Sequence, residues 1–252
     1  MALIELQNVD LKYPLRVHHG ITLKEFFIKH FLRKNTREMI REVHALRNVS
    51  LRIQEGERVG IIGFNGAGKT TLLRTMAGIY PIARGRRVVK GSICSLLDIT
   101  VGFEIDADGW DNIRYRGYLQ GETPRTLQPK FAEIAEFTEL GHFMDIPVRC
   151  YSVGMAFRLA FAIATSSLPE ILFVDEVFDT TDLAFRRKAE DRMKLFMNRA
   201  KIVVMVGHNL AFFEQFAERV IWLDKGEVRM DGKPREVIGA FRQEAEARRS
   251  AA

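Results

Sequence analysis

Gly63-Phe64-Asn65-Gly66-Ala67-Gly68-Lys69-Thr70-Thr71 is the stretch on which the fold turns. Its spacing, Gly63-x4-Gly68-Lys69-Thr70, is a P-loop: the glycines let successive backbone N–H groups converge on phosphate oxygens, and the helix that follows offers its positive N-terminal dipole. Such a loop needs a strand before it and a helix after it. Arg58 to Ile62 supplies a short apolar strand behind the turn Glu55-Gly56-Glu57, and Leu72, Leu73, Met76 and Ala77 continue at helical spacing. Gly63, Asn65, Gly66, Ala67, Gly68, Lys69, Thr70 and Thr71 are therefore the expected nucleotide contacts. Lys69 is expected to reach the β and γ phosphates, and the Thr70 hydroxyl to ligate Mg²⁺.

Working outward, Ile171-Leu172-Phe173-Val174-Asp175-Glu176 is an apolar strand ending in two acids. Alone it reads as a strand with solvated carboxylates. Beside a P-loop, Asp175 is expected next to the Mg²⁺, with Glu176 aimed at the attacking water as general base. His208 follows the apolar run Ile202 to Val206, so a parallel sheet brings its imidazole to the phosphate edge. His30, His44 and His142 have no such position and are expected to be ordinary surface or core histidines.

Ile4 to Val9 and Leu46 to Ile53 alternate like half-buried strands, and Val220 to Leu223 adds another apolar run. Residues 102–165 are mostly helical in pattern, with Thr126 to Leu140 and Gly154 to Ser167 the clearest helices, and are expected to form a helical subdomain. Residues 166–241 form the second part of the core, with a helix over Thr181 to Ala200, and Glu244 to Ala252 looks frayed (the tail being residues 242–252). Strands alternating with helices predict a mostly parallel sheet covered on both faces.

The composition, 252 residues with 47% hydrophobic and 28% charged, fits one globular domain over residues 1–252. Cys94 and Cys150 lack metal-ligand spacing, so two reduced thiols in a cytosolic protein are expected. No apolar run approaches the roughly 20 residues that span a bilayer, and Glu5 and Asp10 interrupt the N-terminus where a secretory signal would be apolar. The net charge of +6 lies wholly between Lys12 and Arg47, where nine basic residues face three glutamates. A broad basic face for nucleic acid is thereby excluded. Within this stretch, residues 14–43 read as a basic amphipathic helical insert: Thr22 and Glu25 form a capping box, and Leu23, Phe27 and Phe31 repeat at helical spacing. It suits a bilayer interface or a partner's groove, and equally an ordinary surface helix.

Tyr151-Ser152-Val153-Gly154-Met155, 23 residues before Asp175, resembles the signature motif of ABC-type ATPases, and P-loop, signature, acidic pair and histidine stand in that family's order. The resemblance implies an α/β, P-loop NTPase (RecA-like) core with a mostly parallel sheet, an antiparallel β-subdomain and an inserted helical subdomain. It further implies a homodimer with ATP sandwiched between Lys69 of one protomer and Ser152 and Gly154 of the other, Asp182 as the D-loop aspartate, and Tyr13, ending the first strand, stacking on adenine. Ser152 can donate to a γ-phosphate oxygen, and Gly154 permits close backbone approach.

Tyr-Ser-x-Gly-Met followed by Arg158-Leu159-Ala160-Phe161-Ala162, and Leu96-Leu97-Asp98 before Gly102-Phe103, resemble the ATPase subunits of polysaccharide exporters. That group implies a polytopic membrane permease as partner, a lipid-linked polysaccharide as cargo and a peripheral place on the cytoplasmic face of the bacterial inner membrane. Some of its members add a carbohydrate-binding domain after the ATPase, which this sequence either lacks or was cut before. An exporter of another substrate shares the ATPase residues; a soluble ABC ATPase usually fuses two units or inserts a long coiled coil, and neither is present. Two departures stand out. No glutamine lies near Asp98 to Phe103, so Asp98 is expected to take its coupling role as a ligand of Mg²⁺ or its water, and Val153 replaces the usual signature glycine without removing a phosphate donor.

Overall fold

A computed structural model describes residues 1–16, 40–97, 99–175 and 183–250. Its strands are β1 (Leu3–Arg16), β2 (Ile40–Gln54), β3 (Arg58–Ile62), β4 (Arg84–Lys90), β5 (Ile93–Ser95), β6 (Ile171–Val174), β7 (Ile202–Val206), β8 (Arg219–Asp224) and β9 (Glu227–Gly232). Six form one sheet in the order β5-β6-β7-β3-β8-β9, parallel except for the antiparallel edge strand β9; the other three form an antiparallel sheet, β2-β1-β4.

The apolar runs of β6, β7 and β8 are continuous because both faces of the central sheet are covered, and alternate residues serve different cores. Ile171, Phe173, Val204, Ile221 and Leu223 pack toward the antiparallel sheet and helix α1 (Lys69–Met76). Leu172, Val174, Met205, Val220 and Trp222 pack toward a second core. That core takes in residues of α2 (Gly109–Leu119), α3 (Pro124–Leu127), α4 (Phe131–Thr138), α5 (Val153–Ala164), α6 (Leu183–Arg199), α7 (Leu210–Phe216) and α8 (Pro234–Ser250). Removing a buried ring such as Phe173 costs about 3–5 kcal/mol in cores of this kind.

Several expectations need correcting. Residues 244–250 are not frayed but continue α8, whose acidic first turn and basic last turn, Glu236 against Arg248 and Arg249, suit the helix dipole. The expected insert 14–43 is strand at its ends, since β1 runs to Arg16 and β2 begins at Ile40; its middle, residues 17–39 with Thr22, Phe27 and Phe31, lies outside the described residues. Tyr13 consequently sits within β1, not at its end. The helix expected over Thr126 to Leu140 is broken at Gln128–Lys130, where Pro129 lacks an N–H and its ring crowds the preceding turn.

Both cysteines are free. Cys94 donates its thiol to the Ala164 carbonyl at 3.5 Å, and burial pushes its pKa up to about 12. Among the described residues, no helix is long and apolar enough to cross a membrane.

Candidate nucleotide site

The P-loop leaves the C-terminal end of central strand β3 and enters α1 at Gly68, whose φ of +101° is a left-handed conformation that glycine adopts without steric cost. A side chain there would also meet the Ala45 carbonyl at 2.9 Å, so β2 closes on the loop from outside. Strand β8 closes it from the other side, because a Cβ on Gly63 would lie 2.3 Å from the Leu223 carbonyl. The turn joining β8 to β9 completes the joint: Lys225 and Gly226 both have positive φ, as a tight hairpin turn requires. The Gly226 N–H donates to the Ala67 carbonyl at 2.9 Å, and its carbonyl accepts from the Arg47 N–H at 2.8 Å.

Lys69 is 8% exposed, and its ammonium donates to the Gly63 carbonyl at 2.8 Å and the Phe64 carbonyl at 3.3 Å. Its side chain is thus folded back over the loop that carries it. A cleft of about 790 Å³ opens above; Asn65, Gly66, Ala67, Gly68, Lys69, Thr70 and Thr71 line it together with Tyr13, Asp175 and His208. Asp175 follows the last residue of β6 and His208 comes two residues after β7, so parallel pairing of β6, β7 and β3 brings both to the P-loop edge. Tyr13 arrives from β1. Its ring meets that of Tyr80 at 5.5 Å and 84°, Tyr80 accepts from Arg74 at 2.8 Å, and burial, opposed by a hydrogen bond with Thr71, raises the Tyr13 pKa.

Ser152 and Gly154 do not line this cleft. They stand at the start of α5, where the exposed Ser152 hydroxyl accepts from the Met155 N–H at 3.2 Å and Val153 is 72% exposed. Behind them Tyr151 donates to the Phe143 carbonyl at 2.7 Å, and burial, helped by Asp108 and Asp145, pushes its phenol up to about 12. Glu176, Asp182 and Asp98 lie outside the described residues. After position 98 the loop that follows β5 is fastened to α2: the Arg116 guanidinium donates to the carbonyls of Ile99 and, at 3.2 Å, of Val101, and lies 4.9 Å from the Phe103 ring centre.

Three wall residues escaped the sequence reading. His44, expected to be an ordinary histidine, lines the cleft from β2 and bonds Asp10 at 3.0 Å; strand register alone puts it there. Arg47 and Lys225 add cations to the rim. Only Lys225 had a readable signal, the Asp224-Lys225-Gly226 turn between an apolar run and an alternating one.

Residues 46–179 match the family model described as ABC transporter. The O-antigen export system ATP-binding protein RfbE of Yersinia enterocolitica is 38% identical over 90% of this chain and 96% of its own length. The O-antigen export system ATP-binding protein RfbB of Myxococcus xanthus is 38% identical, and the teichoic acids export ATP-binding protein TagH of Shouchella clausii 36%; the chain spans 56% and 64% of their lengths. Among solved structures, a dimeric ATP-binding cassette in a post-hydrolysis state with ADP and Pi superposes with a TM-score of 0.67 at 22% identity, covering 92% of this chain and 99% of that one. An ATP-binding subunit of an ABC transporter gives 0.70 at 19%, covering 95% and 93%. Family model and full-length relative agree that the chain belongs to the ABC transporter family, as one of its ATP-binding, ATP-hydrolysing proteins.

Proposed function

We propose that ATP hydrolysis by this chain powers export of a lipid-linked polysaccharide, two copies closing around ATP beneath a polytopic permease on the cytoplasmic face of the bacterial inner membrane. The observation that carries the reading is the division of the site: the cleft gathers Tyr13, the P-loop, Asp175 and His208 and leaves Ser152 and Gly154 of the same chain outside it. A second copy would bring its own Ser152 and Gly154 over the γ-phosphate. The O-antigen and teichoic-acid export relatives support the polysaccharide cargo.

In this mechanism the P-loop N–H groups and Lys69 hold the phosphates, and Tyr13 stacks on adenine. The Thr70 hydroxyl and the Asp175 carboxylate share the cleft, and hard oxygen donors of this kind, completed by nucleotide phosphates and water, suit Mg²⁺. Bound there, the ion would offset the charge of the transferring phosphoryl group. Glu176 takes a proton from the attacking water while His208 hydrogen-bonds the γ-phosphate, and Asp182 and Asp98 carry the state of the site to the partner protomer and the permease.

Reconstitution in proteoliposomes with the permease and a lipid-linked glycan tests the whole. Hydrolysis should rise with the glycan and be accompanied by its translocation; stimulation by some other cargo alone would reassign the exporter. Glu176→Gln should bind ATP and dimerise yet turn over about 10²–10⁴-fold more slowly, and near-normal turnover would remove Glu176 from the role of base.

A further inference from the structure

Phe64, the second residue of the P-loop, is held by the last helix of the described chain. The Phe241 ring of α8 packs on the Phe64 ring at 4.8 Å with 39° between planes, and the Arg248 guanidinium lies 4.1 Å from the Phe64 ring centre. Both holders are themselves fixed. Phe241 meets Trp222 of β8 edge-to-face at 5.4 Å, and Arg248 donates to Glu244 and to Asp224, each at 3.0 Å. The Phe64 backbone meanwhile belongs to the phosphate cradle, since its carbonyl accepts from the Ala67 N–H at 3.0 Å and from the Lys69 ammonium at 3.3 Å.

We propose that α8 presets the P-loop for ATP, with Phe241 and Arg248 as positioning residues that act through the Phe64 ring. A loop ordered before its ligand arrives loses less conformational freedom on binding, so such contacts raise affinity without touching the nucleotide. Their effect should fall on ATP binding and leave the chemical step alone, because neither side chain lines the cleft. The proposal rests on reading the P-loop as the ATP site.

ATP titration and steady-state hydrolysis of the full chain test it. Phe241→Ala and Arg248→Ala should each weaken ATP affinity and raise KM about three- to tenfold, the size of one aromatic or cation–π contact, with kcat at saturating ATP changed less than twofold. Arg248→Lys keeps the charge but loses the flat stacking face, and should recover only part of the affinity. In a Phe64→Ala background Arg248→Ala should have no further effect, a non-additivity that general loss of stability would not produce. The Arg248 side chain is 40% exposed, so its variant keeps the test open should Phe241→Ala fail to fold. Unchanged ATP affinity in a folded Arg248→Ala, or full additivity with Phe64→Ala, overturns the proposal. Lys69→Ala is the companion: loss of binding there alongside an unaffected Arg248→Ala removes the clamp and keeps the site, whereas normal binding in Lys69→Ala removes the site itself.

Discussion

The two ends of the nucleotide machinery are built in opposite ways. At the P-loop, polar groups are satisfied from within: Lys69 is buried on the carbonyls of its own loop, and β2, β8 and the Lys225–Gly226 turn close around it. At the signature, the start of α5 is exposed, with Val153 open to solvent and Ser152 serving only as helix cap. The first region is ordered by its own chain, while the second presents donors that, among the described residues, no other group of the chain uses. In the proposed dimer, the first half-site binds on its own and the second can report whether an opposing copy has arrived.

The contrast can be broken most forcefully at Lys69. Lys69→Ala should weaken ATP binding about a hundredfold, the scale of losing charge-assisted hydrogen bonds in a buried cradle, and isothermal titration would show it in the isolated chain. Next comes Ser152, where two substitutions separate cap from donor. Ser152→Ala should lower hydrolysis about tenfold and cost about 1 kcal/mol of stability as a lost N-cap. Ser152→Asp should keep the cap but place a carboxylate against the γ-phosphate, giving a normal melting temperature with little ATPase activity. Near-normal ATPase activity in Ser152→Asp would mean that Ser152 is a cap and nothing more.

The smallest effect concerns the helices behind the signature. Glu122 bonds Lys130, Ser167 and Thr126, and the Lys130 contact first among these holds its carboxyl down to about 2. Because the folded pKa lies below the unfolded value of 4.5, this contribution is complete above that value and is lost as pH falls toward 2. Glu122→Gln should lower the melting temperature by a few degrees or less at neutral pH and flatten its fall between pH 4.5 and 2, without altering ATP affinity.

How much was legible in the sequence follows the same division. The P-loop, Asp175 and His208 were readable because β3, β6 and β7 are buried on both faces, and such strands must be apolar throughout. The charged strand Arg84–Lys90 was missed because it is an exposed edge of the antiparallel sheet, and Ile93–Ser95 because three residues carry no period. The polar, strongly charged end of α8, from Glu244 on, looked frayed because its order comes from contacts with β8, β9 and Phe64, which no local pattern announces. His44 shows the same limit, since its place in the cleft is a consequence of register.

The Gly226 joint has a kinetic consequence. Its two hydrogen bonds tie residue 226 to Ala67 and Arg47, and β3 finds its neighbours in strands that begin at Ile202 and Arg219. A nascent chain that has released only its first two hundred residues thus possesses the P-loop sequence but neither strand that frames it. Long-range closure of this sort is slow and comes late, so the ability to hold ATP should emerge only once the strand from Arg219 and the turn at Gly226 have been made.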